Sequence, residues 1–281
     1  MRILKARVKP RWAIKEERED EAKNPGPLRT DDAGSLGPPV EAKVHETIKL
    51  ETSNVTSAIT NGETILHRLA DIQCIQEACL NKQQRRKFEA DARNNGKAFL
   101  GGPVDPEKGK AAAGVGVLAI KGITMYPVPD PTADYLDAVA SGRCLIVCII
   151  LKEVTLAVAT IYGWTGGDKD PRQAARTDDI IAIVRTQFKE MPPGPKAMCG
   201  DLNGCTETFG MLQSMLEDEG WTDIGNHGTI CGGKPGQVTC KANAGVRESR
   251  IDYIIANQWL TPAIILCRTD QGGTILHTAP S

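Results

Sequence analysis

The chain has no excess of charge of either sign: 34 Lys and Arg stand against 35 Asp and Glu in 281 residues, with an isoelectric point near 6.5. No global positive field draws it non-specifically onto nucleic acid, so any polyanion has to be met by a local cluster. It also lacks a CxxC pair. Nine cysteines, an odd number at irregular spacings, argue against a disulfide framework or a zinc site and for reduced thiols. Residues 1–14 carry Arg2, Lys5, Arg7, Lys9 and Arg11 but not the apolar stretch of a secretory signal. The most membrane-like stretch, Cys144 to Tyr162, is interrupted by Lys152 and Glu153, which fits two paired strands better than one spanning helix. An intracellular protein with no membrane segment is expected, and the sequon Asn54-Val55-Thr56 then has no compartment in which to be glycosylated.

What is present is an ordinary globular composition, 41% apolar and 25% charged, enough for one large or two modest domains. Residues 1–43 combine a basic arm, a charged run from Lys15 to Lys23 and a Pro/Gly segment from Asn24 to Val40. With no apolar face to bury, they read as a mobile tail that is dispensable for folding, followed by a single domain over 44–281. Within that domain strands and helices alternate without a clear internal repeat. Strands are expected over Ile48–Val55, Ile72–Gln76, Val115–Ile120, Cys144–Leu151, Val154–Tyr162, Ile251–Asn257 and Ala263–Cys267, the third to fifth as successive antiparallel neighbours with a Pro-rich loop over Tyr126–Asp134. Helices are expected near Glu63–Ala70, from Asp170 with Pro171 in its first turn to about Glu190, and from Glu207 to a stop at Gly220. Asn81–Arg93 is polar and basic, with Arg85, Arg86 and Lys87 in a row that could face solvent or hold phosphate. Gly225–Glu248 is a long Gly-rich loop. Gly114-Val115-Gly116 sits inside a β-branched run and opens no helix, so it is not a dinucleotide fingerprint.

The chemistry concentrates at Lys196-Ala197-Met198-Cys199-Gly200-Asp201-Leu202-Asn203-Gly204, a short apolar run that ends in a carboxylate and an amide two residues apart. If the strand continues through both, Asp201 and Asn203 share a face. An Asp that takes a proton from water, beside an Asn that orients a phosphate, suits metal-assisted hydrolysis. The competing reading is a tight turn in which both side chains make local backbone bonds. A calcium loop fails here, because Thr206 stands where Gly is needed.

Other polar residues fall at or near expected strand ends: Asn54, Glu77, Tyr162, Asp252 within Ser249-Arg250-Ile251-Asp252-Tyr253, and His277. At this point the sequence resembles the endonuclease/exonuclease/phosphatase superfamily, over about residues 46–280. The carrying motifs are Ile75-Gln76-Glu77, Gly200-Asp201-Leu202-Asn203 and Ser249-Arg250-Ile251-Asp252-Tyr253-Ile254, in the superfamily's order. The resemblance implies an α+β fold, a four-layer αββα sandwich of two mainly antiparallel sheets flanked by helices, with a Mg²⁺ site at one edge and Mn²⁺ as the alternative ion. It implies Glu77 as the main metal ligand with Asn54 close by, Asp201 activating water, Asn203 orienting the phosphate and Tyr162 contacting it. His277 would stabilise the pentacovalent phosphate and Asp252 would hold that histidine, while Arg85, Arg86 and Arg250 are candidate phosphate-contacting cations. Two positions depart from the pattern: Thr56 stands where the superfamily often has Asp or Asn, and Leu276 where it commonly has an acidic residue before the histidine. The implied activity is Mg²⁺-dependent hydrolysis of a phosphodiester, with nucleic acid as partner. The alternatives are a phosphatase acting on inositol phosphates or phospholipid head groups, and a degenerate non-catalytic module of the same fold.

Overall fold

The computed structural model describes residues 47–104, 113–152, 154–228, 230, 235–240 and 249–269, together with the backbone of Arg2–Arg7. Twelve described strands form two six-stranded sheets. The first sheet contains β1 (Arg2–Arg7), β2 (Thr47–Asn54), β3 (Ile72–Gln76), β4 (Lys97–Gly101), β5 (Gly116–Ile120) and β12 (Ile264–Thr269), in the order β12-β1-β2-β3-β5-β4. The second contains β6 (Thr124–Pro127), β7 (Cys144–Leu151), β8 (Val154–Tyr162), β9 (Lys196–Asp201), β10 (Thr222–Asp223) and β11 (Asp252–Ala256), in the order β10-β11-β9-β8-β7-β6. Each sheet has one parallel pair among antiparallel ones, β2 with β3 and β8 with β9. A parallel pair needs a crossover, and helices α1 (Gly62–Leu66) and α4 (Pro171–Glu190) supply the two.

Period-2 alternation sorts the strands into layers. In β7, Val147, Ile149 and Leu151 face the first sheet and meet Leu50, Ile72, Cys74 and Val117, whereas Cys144 and Ile146 face outward. That outer face is covered by α3 (Ala133–Ala140), α4 and α5 (Gly210–Asp218) through Tyr135, Ile181, Val184, Phe188, Leu212 and Met215. On the far side, α1 and α2 (Lys82–Asn94) place Ile65, Leu66, Phe88 and Ala92 against Ile75, Phe99 and Leu118. The outcome is the expected αββα sandwich. Each buried Leu, Ile or Phe contributes about 1.5–3 kcal/mol, and the between-sheet cluster spans both sheets from Ile48 to Cys267.

Four expectations need correction. Residues 1–43 are not a mobile arm throughout, because Arg2–Arg7 forms β1, antiparallel to both β2 and β12. Its run of basic residues hid it, yet a strand inserted between two others satisfies its backbone groups on both edges. Residues 8–46 lie outside the described residues. The segment expected as one loop over Tyr126–Asp134 instead contains the end of β6 and the start of α3, capped where the Thr132 hydroxyl accepts from the Tyr135 N–H at 3.3 Å. Four strand residues and eight helical ones are too few to show a period. β5 belongs to the first sheet and does not pair with β7. The helix expected over Glu63–Ala70 stops at Leu66, and Leu69, beyond its end, is 85% exposed. No helix among the described residues is long and apolar enough to cross a membrane.

β12 reaches the first sheet only through β1. Deleting residues 1–8 should therefore cost roughly 2 kcal/mol or more and lower the melting temperature by about 4–8 °C for a domain of this size. An unchanged transition in calorimetry would show that the sheet closes without β1.

Candidate active site

The alternation that builds the core between the sheets also builds the site. Following the inward face of each strand gives Ile48, Leu50, Thr52 and Asn54 in β2, then Ile72, Cys74 and Gln76 in β3. In the second sheet it gives Leu156, Val158, Thr160 and Tyr162 in β8, and Ala197, Cys199 and Asp201 in β9. β11 runs the opposite way, so its first residue, Asp252, lies directly opposite Asp201. Along every line apolar residues give way to hydrogen-bonding ones at the same rim. Just below the rim the Gln76 amide donates to Thr160 Oγ1 at 2.8 Å, linking the sheets, and exchanges longer bonds of 3.2 and 3.4 Å with Thr52.

At the rim the Asn54 amide nitrogen donates to Glu77 Oε1 at 2.9 Å and to Asp201 Oδ2 at 3.0 Å. Asn54 Oδ1 accepts from the Thr56 N–H at 2.9 Å, which turns the nitrogen toward the two carboxylates. The Tyr162 hydroxyl donates to Glu77 Oε1 at 2.5 Å. Thus Asn54, Glu77, Tyr162 and Asp201 are joined directly. Burial, followed by the Asp252 carboxylate, pushes Asp201 up to about 7; hydrogen bonds from Asn54 and Asn203 oppose the rise, and Glu77 adds to it. Burial and then Glu77 hold the Tyr162 phenol above its ordinary value, so it remains a donor at neutral pH.

Asn203 does not share a strand face with Asp201, because β9 ends at Asp201 and Asn203 has a left-handed φ of 54°. Its N–H donates to Asp201 Oδ1 at 2.9 Å, the local turn that competed with the strand reading. The turn still aims its side chain across the rim, where Nδ2 donates to the Gly163 carbonyl at 3.0 Å. Gly163 is sterically required: a Cβ there would lie 2.2 Å from the Leu202 carbonyl oxygen, and its N–H donates to the Asp201 carbonyl at 2.7 Å. Glu77 and Thr56 are left-handed as well, with φ of 54° and 58°, so three non-glycine residues around the cleft hold an uncommon backbone conformation. Beside Asn203 opens a groove of about 1050 Å³ lined by Thr165, Lys169, Cys205, Cys240 and Arg250.

Other candidates are placed elsewhere or otherwise engaged. Arg250 is bound in a two-pronged contact to Asp223 and stacks on Tyr253 at 4.5 Å. Arg85 donates to the carbonyls of Gly101 and Gly102 at 3.1 and 3.3 Å, and Arg86 is exposed on α2. His277 and Leu276 lie outside the described residues. The residue that sequence reasoning missed is Arg143: only 1% exposed, it lies 4.8 Å from the ring centroids of both Tyr162 and Trp164. It precedes an apolar strand and belongs to no motif singled out above; only a cation at the start of so apolar a run could have drawn attention.

The donor set tests whether a cation fits. Asp201 and Asp252 face each other with Glu77 close enough to raise Asp201 further, a concentration of hard oxygens that a hard cation would neutralise. Among the described residues no three His, Cys, Asp or Glu side chains form a cage of their own. Asn54 presents its nitrogen rather than its oxygen to the two carboxylates, so Glu77 is the better-disposed ligand.

No protein-family model matches the sequence, and no curated protein matches it significantly. Similar solved structures include the catalytic domain of Xenopus laevis APE2, 17% identical with a TM-score of 0.55 over 76% of this chain and 83% of that one. The AP endonuclease LMAP from Leishmania major is 14% identical with a TM-score of 0.55 over 75% and 79%. A single-residue variant of the 3′ phosphatase NExo from Neisseria, bound to product DNA hairpin, is 14% identical with a TM-score of 0.52 over 75% and 87%. The chain has the endonuclease/exonuclease/phosphatase fold.

Two outcomes follow from this geometry. Gly163→Ala should destabilise the protein by about 1–3 kcal/mol, read as a lower melting temperature, because backbone rather than a flexible side chain blocks the new methyl group. Asp201 has a folded-state value above its ordinary 3.8. Its contribution to stability is therefore complete below about pH 4 and is lost as pH rises through about 7. In chelator, Asp201→Asn should gain melting temperature relative to wild type as pH goes from 4 to 7; parallel curves would contradict the assigned burial.

Proposed function

We propose that the cleft hydrolyses a phosphodiester in nucleic acid with the help of Mg²⁺. The carrying observation is the direct hydrogen-bonded convergence of Asn54, Glu77, Tyr162 and Asp201, residues drawn from β2, the exit of β3, β8 and β9. Neighbours that include an AP endonuclease and a DNA-bound 3′ phosphatase support this reading at the level of fold. Bound at Glu77, Mg²⁺ would supply charge neutralisation for the phosphoryl oxygens.

The side chains divide the remaining work. Asp201, buried at the rim and held by the Asn54 amide, accepts the proton of the attacking water as a carboxylate within reach of the phosphate site. Asn54 holds Asp201 and Glu77 at fixed separation. Asn203 has a second amide hydrogen to offer a phosphate oxygen, and Tyr162 keeps Glu77 oriented through a donated proton. His277 is assigned to the charge growing on the phosphate, with Asp252 as its anchor. Arg250 takes a supporting role, holding the loop through Asp223 rather than contacting phosphate.

The test is a purified-protein assay with Mg²⁺ on a duplex with one abasic site, on plain single- and double-stranded DNA, on RNA and on an inositol polyphosphate. Cleavage of a nucleic acid is expected, at millimolar Mg²⁺ as an order of magnitude, since Thr56 adds no carboxylate to the metal's surroundings. Asp201→Asn should reduce turnover by about 10²- to 10⁴-fold without rescue, because an amide does not accept the proton. Glu77→Gln should lose occupancy instead, and added Mg²⁺ should restore it in part. Release of phosphate from the inositol polyphosphate alone would transfer the assignment to phosphatase, and no turnover on any substrate would make the domain non-catalytic.

A further inference from the structure

Arg143, immediately before β7, carries a guanidinium that is almost completely buried behind the rim. Taking such a cation out of water costs several kcal/mol unless its surroundings compensate, and a well-packed apolar residue in its place is often neutral or stabilising. Stability alone is thus a poor reason for an arginine here. Its contacts suggest another. One face of the guanidinium environment is the Tyr162 ring and another the Trp164 ring, each with its centroid 4.8 Å away. Its Nη1 donates to the Gly163 carbonyl at 3.1 Å, the same oxygen that accepts from Asn203 Nδ2 at 3.0 Å. The Arg143 carbonyl accepts from the Tyr162 N–H at 2.8 Å.

We propose that Arg143 is the positioning residue of the cleft, setting the Tyr162 ring against Glu77 and the Gly163 carbonyl against Asn203 without touching substrate. The inference rests on the hydrolytic reading above. A planar guanidinium can stack and donate in its plane at once, which an ammonium cannot. Both dependents adjoin the carboxylates of the rim. The Tyr162 hydroxyl fixes one oxygen of Glu77, and Asn203 donates its backbone N–H to Asp201 itself. Displacing the guanidinium would therefore loosen both neighbours of the base, and a misplacement of about 1 Å can cost on the order of 10²-fold in rate.

The experiment compares wild type with Arg143→Met and Arg143→Lys on the abasic-site duplex in Mg²⁺, after melting curves establish the folded fraction. Expected for Arg143→Met is a kcat about 10- to 100-fold lower with KM within twofold, and for Arg143→Lys an intermediate kcat, since an ammonium can keep the bond to Gly163 but not the planar stacking. Combining Arg143→Met with Asn203→Ala should give less than the product of the single effects, because both act through the same carbonyl. A kcat per folded molecule within twofold of wild type, with only the melting temperature lowered, would reduce Arg143 to a structural role and overturn the proposal. If Arg143→Met does not fold, Arg143→Lys carries the comparison. A second readout needs no substrate: in ¹⁵N-asparagine-labelled protein the Asn203 side-chain amide resonances, assigned with Asn203→Ala, should shift in both Arg143 variants. If wild type cleaves nothing, the hydrolytic reading fails and this spectrum alone decides the positioning; an unmoved Asn203 amide would refute it.

Discussion

The bond from Gln76 to Thr160 joins the two sheets one layer below the cleft, and the site depends on it. It marks the level at which the facing surfaces change from apolar packing to polar pairing. On one side of it Leu50, Ile72, Val158 and Cys199 exclude water; on the other Asn54, Tyr162, Asp201 and Asp252 line the rim with polar groups. Because side chains alternate with a period of two, a one-residue slip of either parallel pair would send Asn54 or Asp201 to the opposite face and bury a mismatch. The Gln76 link, with Thr52 beside it, works only when both sheets hold their registers, so it couples the geometry of the rim to that of the core.

The rim stores tension of two kinds. Three carboxylates are concentrated there, and Asn54 moderates two of them by donating one amide hydrogen to each. Thr56, Glu77 and Asn203 meanwhile hold left-handed backbone conformations at the exits of three strands. For Thr and Glu such conformations cost on the order of 1–3 kcal/mol and persist only when the surroundings over-determine them. The surroundings do so here, through the Asn54 bond to the Thr56 N–H and the Tyr162 bond to Glu77. A sharp exit brings each functional group back across the strand end in place of continuing outward.

Much of this was legible in the amino-acid order. β7, β8 and α4 were bounded correctly, because each is long or strongly apolar and is closed by a charge pair, Gly or Pro, and β3 was bounded correctly by its short β-branched run between Asp71 and Glu77. β1, β4, β6 and α3 were not, since four to eight residues seldom reveal a period and a sheet partner far along the chain can override local propensity. At the site, Asn54, Glu77, Tyr162 and Asp201 were identified from strand-end position and motif, and the structure joins them. Asn203 was picked out for the wrong geometric reason, a shared strand face instead of a turn. Arg250 and Arg85 could be counted as cations from sequence, but not seen to be occupied by Asp223 and by backbone carbonyls. Arg143 stood out only as a cation before an apolar run, because its contacts with Tyr162, Trp164 and Gly163 are spatial.

The place of β1 bears on how the molecule is made. The ribosome releases Arg2–Arg7 long before β2, and releases β12 only after the whole of the intervening domain, yet β1 lies hydrogen-bonded between them. During synthesis this strand can dock on β2 while its other edge stays bare until Ile264–Thr269 emerges. An unpaired strand edge is a template for association with other chains. The nascent protein is thus most vulnerable to aggregation in the interval between those two events, and the elongation rate over the message between β2 and β12 sets how long that interval lasts.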